Sequence, residues 1–305
     1  MQLGMIGLGK MGGNMARRLG AGGVRIVGYN KDASVSRLLN DEIGLTQADS
    51  IEALVAKLEA PRKLWLMLPA GEITEQVFCE LLELLSPEDL IVDGANSWFK
   101  DSMRRASEAD RKGIGFVDAG VSGGIWGLEN GYTLMLGGTD ADVANIHTAV
   151  RALAPHPERG WIHAGPSGSG HFTKMVHNGI EYGMMQAYAE GFALLKGRED
   201  FDLDLAGIAE TWRHGSVIRS WLLDLSAKLL TEDQELADID PFVADSGEGR
   251  WTALEAIEQG IPTPVMSLAL MTRFASQGQQ DYSSRVLAMM RQQFGGHPVR
   301  AADKD

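Results

Sequence analysis

Short apolar runs alternate with helix-like segments through the first half of the chain. Each run is bounded by Gly, Pro or Asp, which is typical of strands buried on both faces of a parallel sheet. These runs predict strands over residues 3–6, 24–28, 64–68, 90–92, 115–117, 132–136 and 161–164. Between them, helical periodicity covers residues 11–19, 34–39, 73–85, 101–112 and 141–153. The alternation predicts an α/β domain with a doubly wound sheet.

The pattern changes at the turn-forming stretch Gly165-Pro166-Ser167-Gly168-Ser169-Gly170, which marks a domain boundary. Beyond it the sequence predicts only helices, over residues 171–196, 206–211, 217–230, 250–259, 265–276 and 282–294. We therefore expect a first domain over residues 1–166 and an all-α second domain over residues 167–305, with residues 301–305 frayed.

Composition narrows the class of protein. With 28 Lys and Arg against 41 Asp and Glu, the formal net charge of the 305 residues is −13. Repulsion then opposes nucleic acid and anionic membranes as partners, although a local basic pocket could still hold a small anion. The single cysteine, Cys79, excludes an intrachain disulfide and a cysteine-based zinc site.

Two further patterns bear on location and metal binding. The first residues do not resemble a signal peptide, and no apolar run reaches the roughly 18 residues that a membrane span needs. We therefore expect a cytoplasmic protein. No cluster of His and carboxylate residues has metal-ligand spacing, so no metal is expected.

A glycine-rich motif follows the first predicted strand and opens the first predicted helix. The residues Gly7-Leu8-Gly9-Lys10-Met11-Gly12 spell G-x-G-x-x-G. In this context Gly7 permits a tight turn, Gly9 lets the backbone approach a pyrophosphate, and Gly12 lets helix and strand pack closely. The helix N-terminus then holds the anion. The motif predicts dinucleotide binding, and a glycine turn in some other α/β protein is the alternative.

The choice of dinucleotide depends on the end of the second predicted strand. A carboxylate there binds the ribose 2′-hydroxyl of NAD and repels the 2′-phosphate of NADP. This chain has Asn30 followed by Lys31, and a neutral amide beside a cation favours NADP. Asp32 opposes a 2′-phosphate and Lys31 could be an ordinary surface lysine, so NAD or the use of both stays open.

Polar residues share one face of the first helix of the second domain. At about 100° per residue they span about 140° of the helix, and they are Lys174, His177, Asn178, Glu181 and Tyr182. The opposite side, expected to be buried, carries Val176, Gly179, Ile180 and Gly183. A lysine acts as a base only when desolvation or neighbouring cations lower its pKa, and His171 and His177 are candidates for that influence. A solvated polar face is the alternative.

At these residues the sequence resembles a known family. The glycine loop, the segment Asp118-Ala119-Gly120-Val121-Ser122-Gly123-Gly124-Ile125-Trp126-Gly127 and the segment Lys174-Met175-Val176-His177-Asn178-Gly179-Ile180-Glu181-Tyr182 are similar to the decarboxylating 6-phosphogluconate dehydrogenases, short form, within the β-hydroxyacid dehydrogenase superfamily. The resemblance implies a Rossmann-type first domain. It also implies oxidative decarboxylation of 6-phosphogluconate to ribulose 5-phosphate and CO2, with reduction of NADP or NAD, in the pentose phosphate pathway and gluconate utilisation.

The resemblance also implies roles for individual residues. Lys174 matches the general base for the C3 hydroxyl, and Glu181 matches the acid that protonates C1, with His177 and Asn178 beside them. Asn96 matches a residue that touches both nicotinamide and substrate. The loop for the substrate carboxylate matches Ser122, Gly123 and Gly124, and a loop beside the cofactor matches Leu68, Pro69 and Ala70.

The substrate phosphate requires cations. The resemblance implies that its contacts are Tyr182, Arg250, Thr252 and Arg273, with Arg291 and His297 of the C-terminal tail reaching a neighbouring subunit's site. A homodimer or homotetramer is therefore expected. Larger members carry a second, duplicated helical half, which a partner chain is expected to supply here.

Two other functions stay open. A non-decarboxylating β-hydroxyacid dehydrogenase, of the 3-hydroxyisobutyrate or tartronate semialdehyde type, has no need for Glu181 or for the arginine set. A regulator that binds a dinucleotide without turnover leaves the face from Lys174 to Glu181 unexplained.

Overall fold

A computed structural model describes residues 1–278, 281–295 and 298–299 of the chain. The chain divides into two compact units, Met1–His177 and Asn178–Asp305. One helix, Ser169–Lys196, runs through the division. None of the helices in these described ranges combines the length and the apolar character that crossing a lipid bilayer requires.

An eight-stranded sheet forms the centre of the first unit, in the order β3-β2-β1-β4-β5-β6-β7-β8. Neighbouring strands are parallel except β6 and β7, which are antiparallel. The predicted α/β doubly wound sheet is confirmed. The strands are β1 (Gln2–Ile6), β2 (Arg25–Tyr29), β3 (Thr46–Gln47), β4 (Lys63–Leu66), β5 (Leu90–Asp93), β6 (Gly115–Ser122), β7 (Thr133–Gly137) and β8 (Trp161–Gly165).

Helices cover both faces of this sheet, because its strands are apolar on both sides. One core cluster includes the fully buried Trp65, and the other includes Phe78, whose ring meets that of Phe116 edge-on at 6.0 Å. The helices are α1 (Lys10–Ala21), α2 (Ala33–Ile43), α3 (Ile51–Ala56), α4 (Glu72–Leu84), α5 (Phe99–Asp110), α6 (Gly127–Asn130), α7 (Asp140–Asn145) and α8 (His147–Leu153).

Several elements of this unit differ from the sequence prediction. The elements β3, α3 and α6 were not predicted, because two, six and four residues are too short to show a period. The helix predicted over residues 141–153 is two helices, broken at Ile146. The strand predicted over residues 115–117 continues as β6 to Ser122, so much of the motif that begins at Asp118 lies in the sheet.

The helix that joins the two units, α9 (Ser169–Lys196), begins directly against the sheet. A Cβ atom on Gly170 would lie 2.5 Å from the carbonyl oxygens of Asp118 and Met135 and 2.7 Å from the nitrogen of Gly137. The Asp118 carboxylate accepts hydrogen bonds from the backbone N–H groups of Gly168 and His171, at 2.6 and 2.7 Å. The start of α9 is therefore fixed to β6 and β7.

The described part of the second unit contains only helices, as predicted. Its core packs α10 and α11 against Tyr188, Phe192 and Leu195 of α9. The helix predicted from residue 217 begins only at Trp221, because the Ser220 hydroxyl accepts from the N–H of Leu223 as an N-cap. The helices are α10 (Leu205–Arg213), α11 (Trp221–Glu232), α12 (Glu248–Gln259), α13 (Pro264–Ser276) and α14 (Asp281–Gly295).

We expect Gly170→Ala to lower the free energy of unfolding by about 2 kcal/mol, since overpacking a filled site costs roughly 1–3 kcal/mol. The new methyl group has no room, because its neighbours are backbone atoms of β6 and β7 that cannot rotate away. Chemical denaturation followed by circular dichroism would measure the loss.

Gly191→Ala is the matched control on the same helix. A Cβ atom at Gly191 would have no neighbour within 4 Å, so this substitution should raise helix stability by roughly 0.5–1 kcal/mol. Equal effects at the two positions would contradict the packing argument.

Candidate functional site

The glycine-rich loop lies where the strand order reverses, between β1 and β4. Ligands of doubly wound sheets bind at this switch point, beyond the carboxyl ends of the strands. Gly7 has φ +91°, and a Cβ there would lie 2.3 Å from the Met67 carbonyl oxygen. A Cβ on Gly12 would lie 2.0 Å from the Gly7 oxygen. A Cβ on Gly9 would meet nothing within 4 Å, which leaves room for a ligand to approach.

Asn30 connects the end of β2 to this loop. Its side-chain oxygen accepts from the N–H of Leu8 at 2.9 Å, and its amide nitrogen donates to the Asp32 carbonyl at 3.1 Å. Asp32 caps α2, where its carboxylate accepts from the hydroxyl and N–H of Ser34, and these bonds lower the pKa of Asp32. The segment after β2, where the ribose of a dinucleotide would bind, therefore carries the ionised carboxylate of Asp32 next to Lys31.

The loop after β4 borders the glycine loop. A Cβ on Gly7 would lie 2.9 Å from the Leu68 side chain, and the Pro69 carbonyl accepts from the Thr74 hydroxyl at 2.8 Å. Ala70 follows at the entry to α4. The structure thus gathers these predicted cofactor residues from the ends of three neighbouring strands, β2, β1 and β4, and Asn96 follows the next strand, β5.

Asn96 ties the loop after β5 to the end of β6. Its backbone is left-handed, with φ +50°. Its side-chain oxygen accepts from the Val121 N–H at 3.0 Å, and its amide nitrogen donates to the Val121 carbonyl at 3.2 Å. Ser122 follows directly, and Gly123 and Gly124 take positive φ values of 131° and 53°. The predicted substrate loop is therefore adjacent to Asn96.

Lys174 lies against the same strand. Its side chain is 5% exposed, and a Cβ on Gly120 would lie 2.4 Å from the Lys174 Cβ. The Lys174 Nζ is 3.4 Å from Nδ1 of His177. Lys174 is therefore shielded from water. Such desolvation is one of the two conditions under which a lysine can act as a base, the other being a neighbouring cation. The structure therefore brings Lys174 to the strand that ends in the Ser122 loop.

His171 and Asp118 form the buried surroundings of this helix start. The His171 Nδ1 and the Ser102 hydroxyl are 2.7 Å apart, and the buried Nε2 has no hydrogen-bond partner among the described residues. Burial raises the pKa of Asp118, while the nearby His171 and the two backbone N–H donors oppose the rise. The sequence alone predicts no role for Asp118, although this residue begins the segment that ends at Gly127.

The burial of two residues on opposite sides of α9 differs from the prediction. Ile180, expected to be buried, is 51% exposed, whereas Tyr182 on the polar side is 6% exposed. The glycines make the close contacts instead, as predicted: a Cβ on Gly179 would lie 2.7 Å from Thr252, and one on Gly183 would lie 3.2 Å from Val265. Backbone can approach only where side chains are absent, so the larger Ile180 lies outside these contacts.

Glu181 and Asn178 are partly exposed on the same helix. Glu181 follows Lys174 by seven residues, which is close to two helical turns, or about 10 Å along the axis. One continuous helix therefore carries both the predicted base and the predicted acid.

The second unit brings Tyr182 and Arg273 together. The Arg273 guanidinium lies 3.5 Å from the centre of the Tyr182 ring and donates to the Ala244 carbonyl at 2.8 Å. The Tyr182 hydroxyl and the Ser246 hydroxyl are 2.9 Å apart. Ser246 was not predicted, since a lone serine in a loop gives no signal in the sequence.

Arg250 and Thr252 belong to the same cluster. Arg250 pairs with the Asp245 carboxylate and lies over the Phe274 ring at 4.4 Å. The Thr252 hydroxyl donates to the Glu248 carbonyl at 2.8 Å. The predicted Arg250 and Arg273 thus lie in one helical unit, and Arg250 is paired with a carboxylate, Asp245, that sequence reasoning did not weigh.

The tail residues are only partly described. Arg291 is exposed on α14, and His297 lies outside the described residues. Among the side chains that the structure describes, no group of three or more His, Cys, Asp and Glu residues is placed to hold a metal ion.

These features define a dinucleotide-binding protein with a Rossmann-type sheet and an all-α second unit. The family model described as the NAD binding domain of 6-phosphogluconate dehydrogenase matches residues 2–162. The model described as the 6-phosphogluconate dehydrogenase C-terminal domain matches residues 170–304. The chain belongs to the 6-phosphogluconate dehydrogenase family, which confirms the resemblance seen in the sequence.

Individual relatives agree with this assignment. A Haloferax volcanii protein named NAD(+)-dependent, decarboxylating 6-phosphogluconate dehydrogenase is 41% identical over 305 residues, covering 99% of this chain and 100% of the relative. A decarboxylating 6-phosphogluconate dehydrogenase of Synechococcus elongatus is 36% identical over 303 residues, covering 94% of this chain and 64% of the relative.

Solved structures show the same fold. Plasmodium falciparum 6-phosphogluconate dehydrogenase, determined without ligand, with NADP+ and with 6-phosphogluconate, superposes with a TM-score of 0.84 at 28% identity, over 100% of this chain and 67% of that one. A Mycobacterium tuberculosis 3-hydroxyisobutyrate dehydrogenase superposes with a TM-score of 0.71 at 20% identity, over 92% of this chain and 94% of that one. At that identity the likeness shows the fold alone.

Proposed function

We propose that this chain catalyses the oxidative decarboxylation of 6-phosphogluconate to ribulose 5-phosphate and CO2, with reduction of NADP or NAD, in the pentose phosphate pathway and gluconate utilisation. Family membership and the full-length Haloferax volcanii relative of that name support the proposal. The observation that carries it is the placement of Lys174, desolvated and pressed against Gly120 two residues before Ser122.

The glycine loop fits a dinucleotide. The open space at Gly9 would accept a pyrophosphate, and the N-terminus of α1 favours its charge. Residues 7–12, 30–32 and 68–70 and Asn96 would hold the cofactor, whose nicotinamide supplies a hydride acceptor when bound.

The side chains of α9 would supply the proton transfers. Lys174 accepts the C3 hydroxyl proton while hydride leaves C3, which gives a 3-keto acid. Loss of CO2 from that acid leaves an enediol, and the protonated Lys174 donates its proton to the C3 oxygen during this step. Glu181 then donates a proton to C1, with His177 and Asn178 orienting the reacting groups. Each step uses a positioned acid or base.

The remaining predicted residues would bind the two anionic ends of the substrate. The Ser122 hydroxyl and the backbone N–H groups of the loop would donate to the carboxylate. The phosphate would meet Arg250, Arg273, Tyr182 and Thr252, the cluster already assembled in the second unit, together with Arg291 and His297 of a partner chain.

We also propose that residues 1–166 form the dinucleotide domain and residues 167–305 the substrate and oligomerisation domain.

We further propose a cytoplasmic location. It suits Cys79, an exposed free thiol, because cytosolic thiols are kept reduced.

A direct assay tests the function against its competitors. The protein is incubated with 6-phosphogluconate and NADP or NAD, and reduced nicotinamide and CO2 are followed together. Equal amounts of both are expected. Reduction without CO2 would favour the non-decarboxylating β-hydroxyacid dehydrogenase, and dinucleotide binding without turnover would favour the regulator.

We expect Lys174→Met to lower kcat by at least about 10³-fold, since general base catalysis typically contributes 10²–10⁴. Dinucleotide affinity, measured by fluorescence titration, should stay within about twofold, because the substitution leaves the glycine loop unchanged. Lys228→Met, an exposed position on α11, is the control and should keep full activity. A Lys174→Met enzyme with near wild-type turnover would remove Lys174 from its role.

Cofactor choice is proposed to be NADP, with NAD possible. We expect Asn30→Asp to lower the ratio of kcat/KM for NADP over NAD at least about tenfold, or ~1.4 kcal/mol. The new carboxylate keeps the acceptor for the Leu8 N–H and repels a 2′-phosphate. Asn145→Asp adds the same charge on α7 and should leave the ratio unchanged. If Asn30→Asp also leaves the ratio unchanged, specificity lies elsewhere.

A homodimer or homotetramer is proposed from the apolar surface of the second unit. Large side chains are exposed along three helices of the described chain, among them Leu254, Ile257, Val265, Leu268, Tyr282 and Leu287. Exposed patches of this kind mark interaction surfaces.

Subunit mixing tests whether the tail completes a neighbour's site. Lys174→Met and Arg291→Ala proteins, each inactive alone, are unfolded together and refolded. A hybrid dimer then has one intact site, so about a quarter of wild-type activity should return. No recovery, or a monomer in analytical ultracentrifugation, would contradict the arrangement.

A further inference from the structure

A buried ionic network lies behind the Asn96 turn. Asp93, the last residue of β5, is fully buried. One oxygen of its carboxylate accepts from the Ala95 N–H at 3.0 Å. The other accepts from the Ser97 hydroxyl at 3.0 Å and from Nη1 of Arg105 at 2.8 Å. Both sides of Asn96 are therefore attached to one carboxylate.

Arg105 closes the network from α5. It is 1% exposed, and its Nη1 also donates to the Ser97 hydroxyl at 3.0 Å. On its other side, Nε and Nη2 each lie 2.9 Å from an oxygen of Glu75 on α4. The guanidinium thus joins the Asn96 turn to the helix that follows the cofactor loop at Leu68.

The turn needs such support because its backbone is strained. Asn96 is a non-glycine residue with φ +50°, a conformation that persists only when its surroundings hold it. Gly94 approaches β4 so closely that a Cβ there would lie 2.5 Å from Nε1 of Trp65. In front, the Asn96 amide is hydrogen-bonded to the backbone of Val121, and the Asp93 network holds the turn from behind.

We propose that Arg105, with Asp93 and Ser97, is a positioning residue that holds Asn96 in place between nicotinamide and substrate. This rests on the proposed function, which places Asn96 at both. A loosened turn would misalign C3 with the hydride acceptor, and small misplacements of this kind lower the rate of the chemical step. Because Arg105 also binds Glu75, one guanidinium sets the cofactor loop and the Asn96 turn together.

The alternative is that the network serves only stability. Buried ion pairs are often retained without a role in function, and breaking one leaves an uncompensated charge. The two interpretations differ in what a mild variant changes. A variant that only loses folded protein keeps the kinetics of its remaining active sites, whereas a misaligned site slows hydride transfer in every molecule.

Ser97→Ala is the primary test, because it removes one hydroxyl and leaves the ion pair intact. We expect kcat to fall roughly 10-fold or more, with a drop of only a few degrees in the melting temperature because the ion pair stays in place. The primary deuterium isotope effect with substrate labelled at C3 should rise toward its limit, since hydride transfer becomes slower than other steps. Wild-type turnover, measured first, tests the proposed function separately.

Arg105→Lys and Arg105→Met extend the series. Lysine keeps the charge beside Asp93 and should recover part of the kcat that methionine loses. Arg104→Ala is the matched control: Arg104 is the neighbouring residue on α5 and also binds Glu75, at 2.6 Å. Its other carboxylate partners are Asp101 and Glu108 on the same helix, in place of the buried Asp93. This control should leave kcat and the isotope effect unchanged.

The rate of amide hydrogen exchange at Val121 reports whether Asn96 is in place, and its measurement does not require enzyme activity. The Val121 N–H donates to the Asn96 side chain at 3.0 Å, so its protection should fall in Ser97→Ala and Arg105→Met and persist in Arg104→Ala. Unchanged protection, or an unchanged isotope effect in active Ser97→Ala enzyme, would overturn the proposal. Reduced protection in a protein that turns over no 6-phosphogluconate would support the positioning of Asn96 while rejecting the proposed function.

Discussion

The attachment of α9 to the sheet through Asp118 is the contact on which the candidate site depends. The carboxylate accepts from two backbone N–H groups at the start of the helix, and Gly170 lets that start touch the backbone of β6 and β7. Lys174 follows one turn later, where Gly120 leaves space for its side chain. The position of the Lys174 backbone therefore follows from contacts between backbone groups.

Keeping the Asp118 carboxylate ionised at this attachment has an electrostatic cost, because the group is buried. Burial raises the pKa of Asp118 above its ordinary value of 3.8, so the folded protein binds this proton more tightly than the unfolded chain does. The contribution of this group to stability is therefore largest below pH 3.8 and falls as the pH rises through the higher pKa of Asp118 in the folded protein.

Sequence reasoning succeeded where local spacing determines structure. The glycines at 7, 9 and 12 have meaning only in a strand–turn–helix, and the structure has that turn at the switch point of the sheet. Gly179 and Gly183 were correctly assigned to close packing. Burial was misjudged at Ile180 because a helical wheel gives directions around an axis and does not say which neighbours lie there.

The residues that sequence reasoning missed are those whose partners are remote in the chain. Arg105 meets Asp93 and Glu75, which are 12 and 30 residues away, and a single arginine on a polar helix shows no period that would reveal this. Asp118 contacts His171 of α9 across 53 residues. Such contacts depend on the order of strands in the sheet, which the alternation of strands and helices leaves undetermined.

The boundary between the two units falls inside α9, between His177 and Asn178. A loop at this position would let the two units vary independently, whereas a continuous helix fixes the spacing between Lys174 and Glu181 at about 10 Å along its axis. The proposed reaction needs a base at C3 and an acid at C1 of one sugar acid. Placing both on one helix makes their separation along the axis a property of helix geometry.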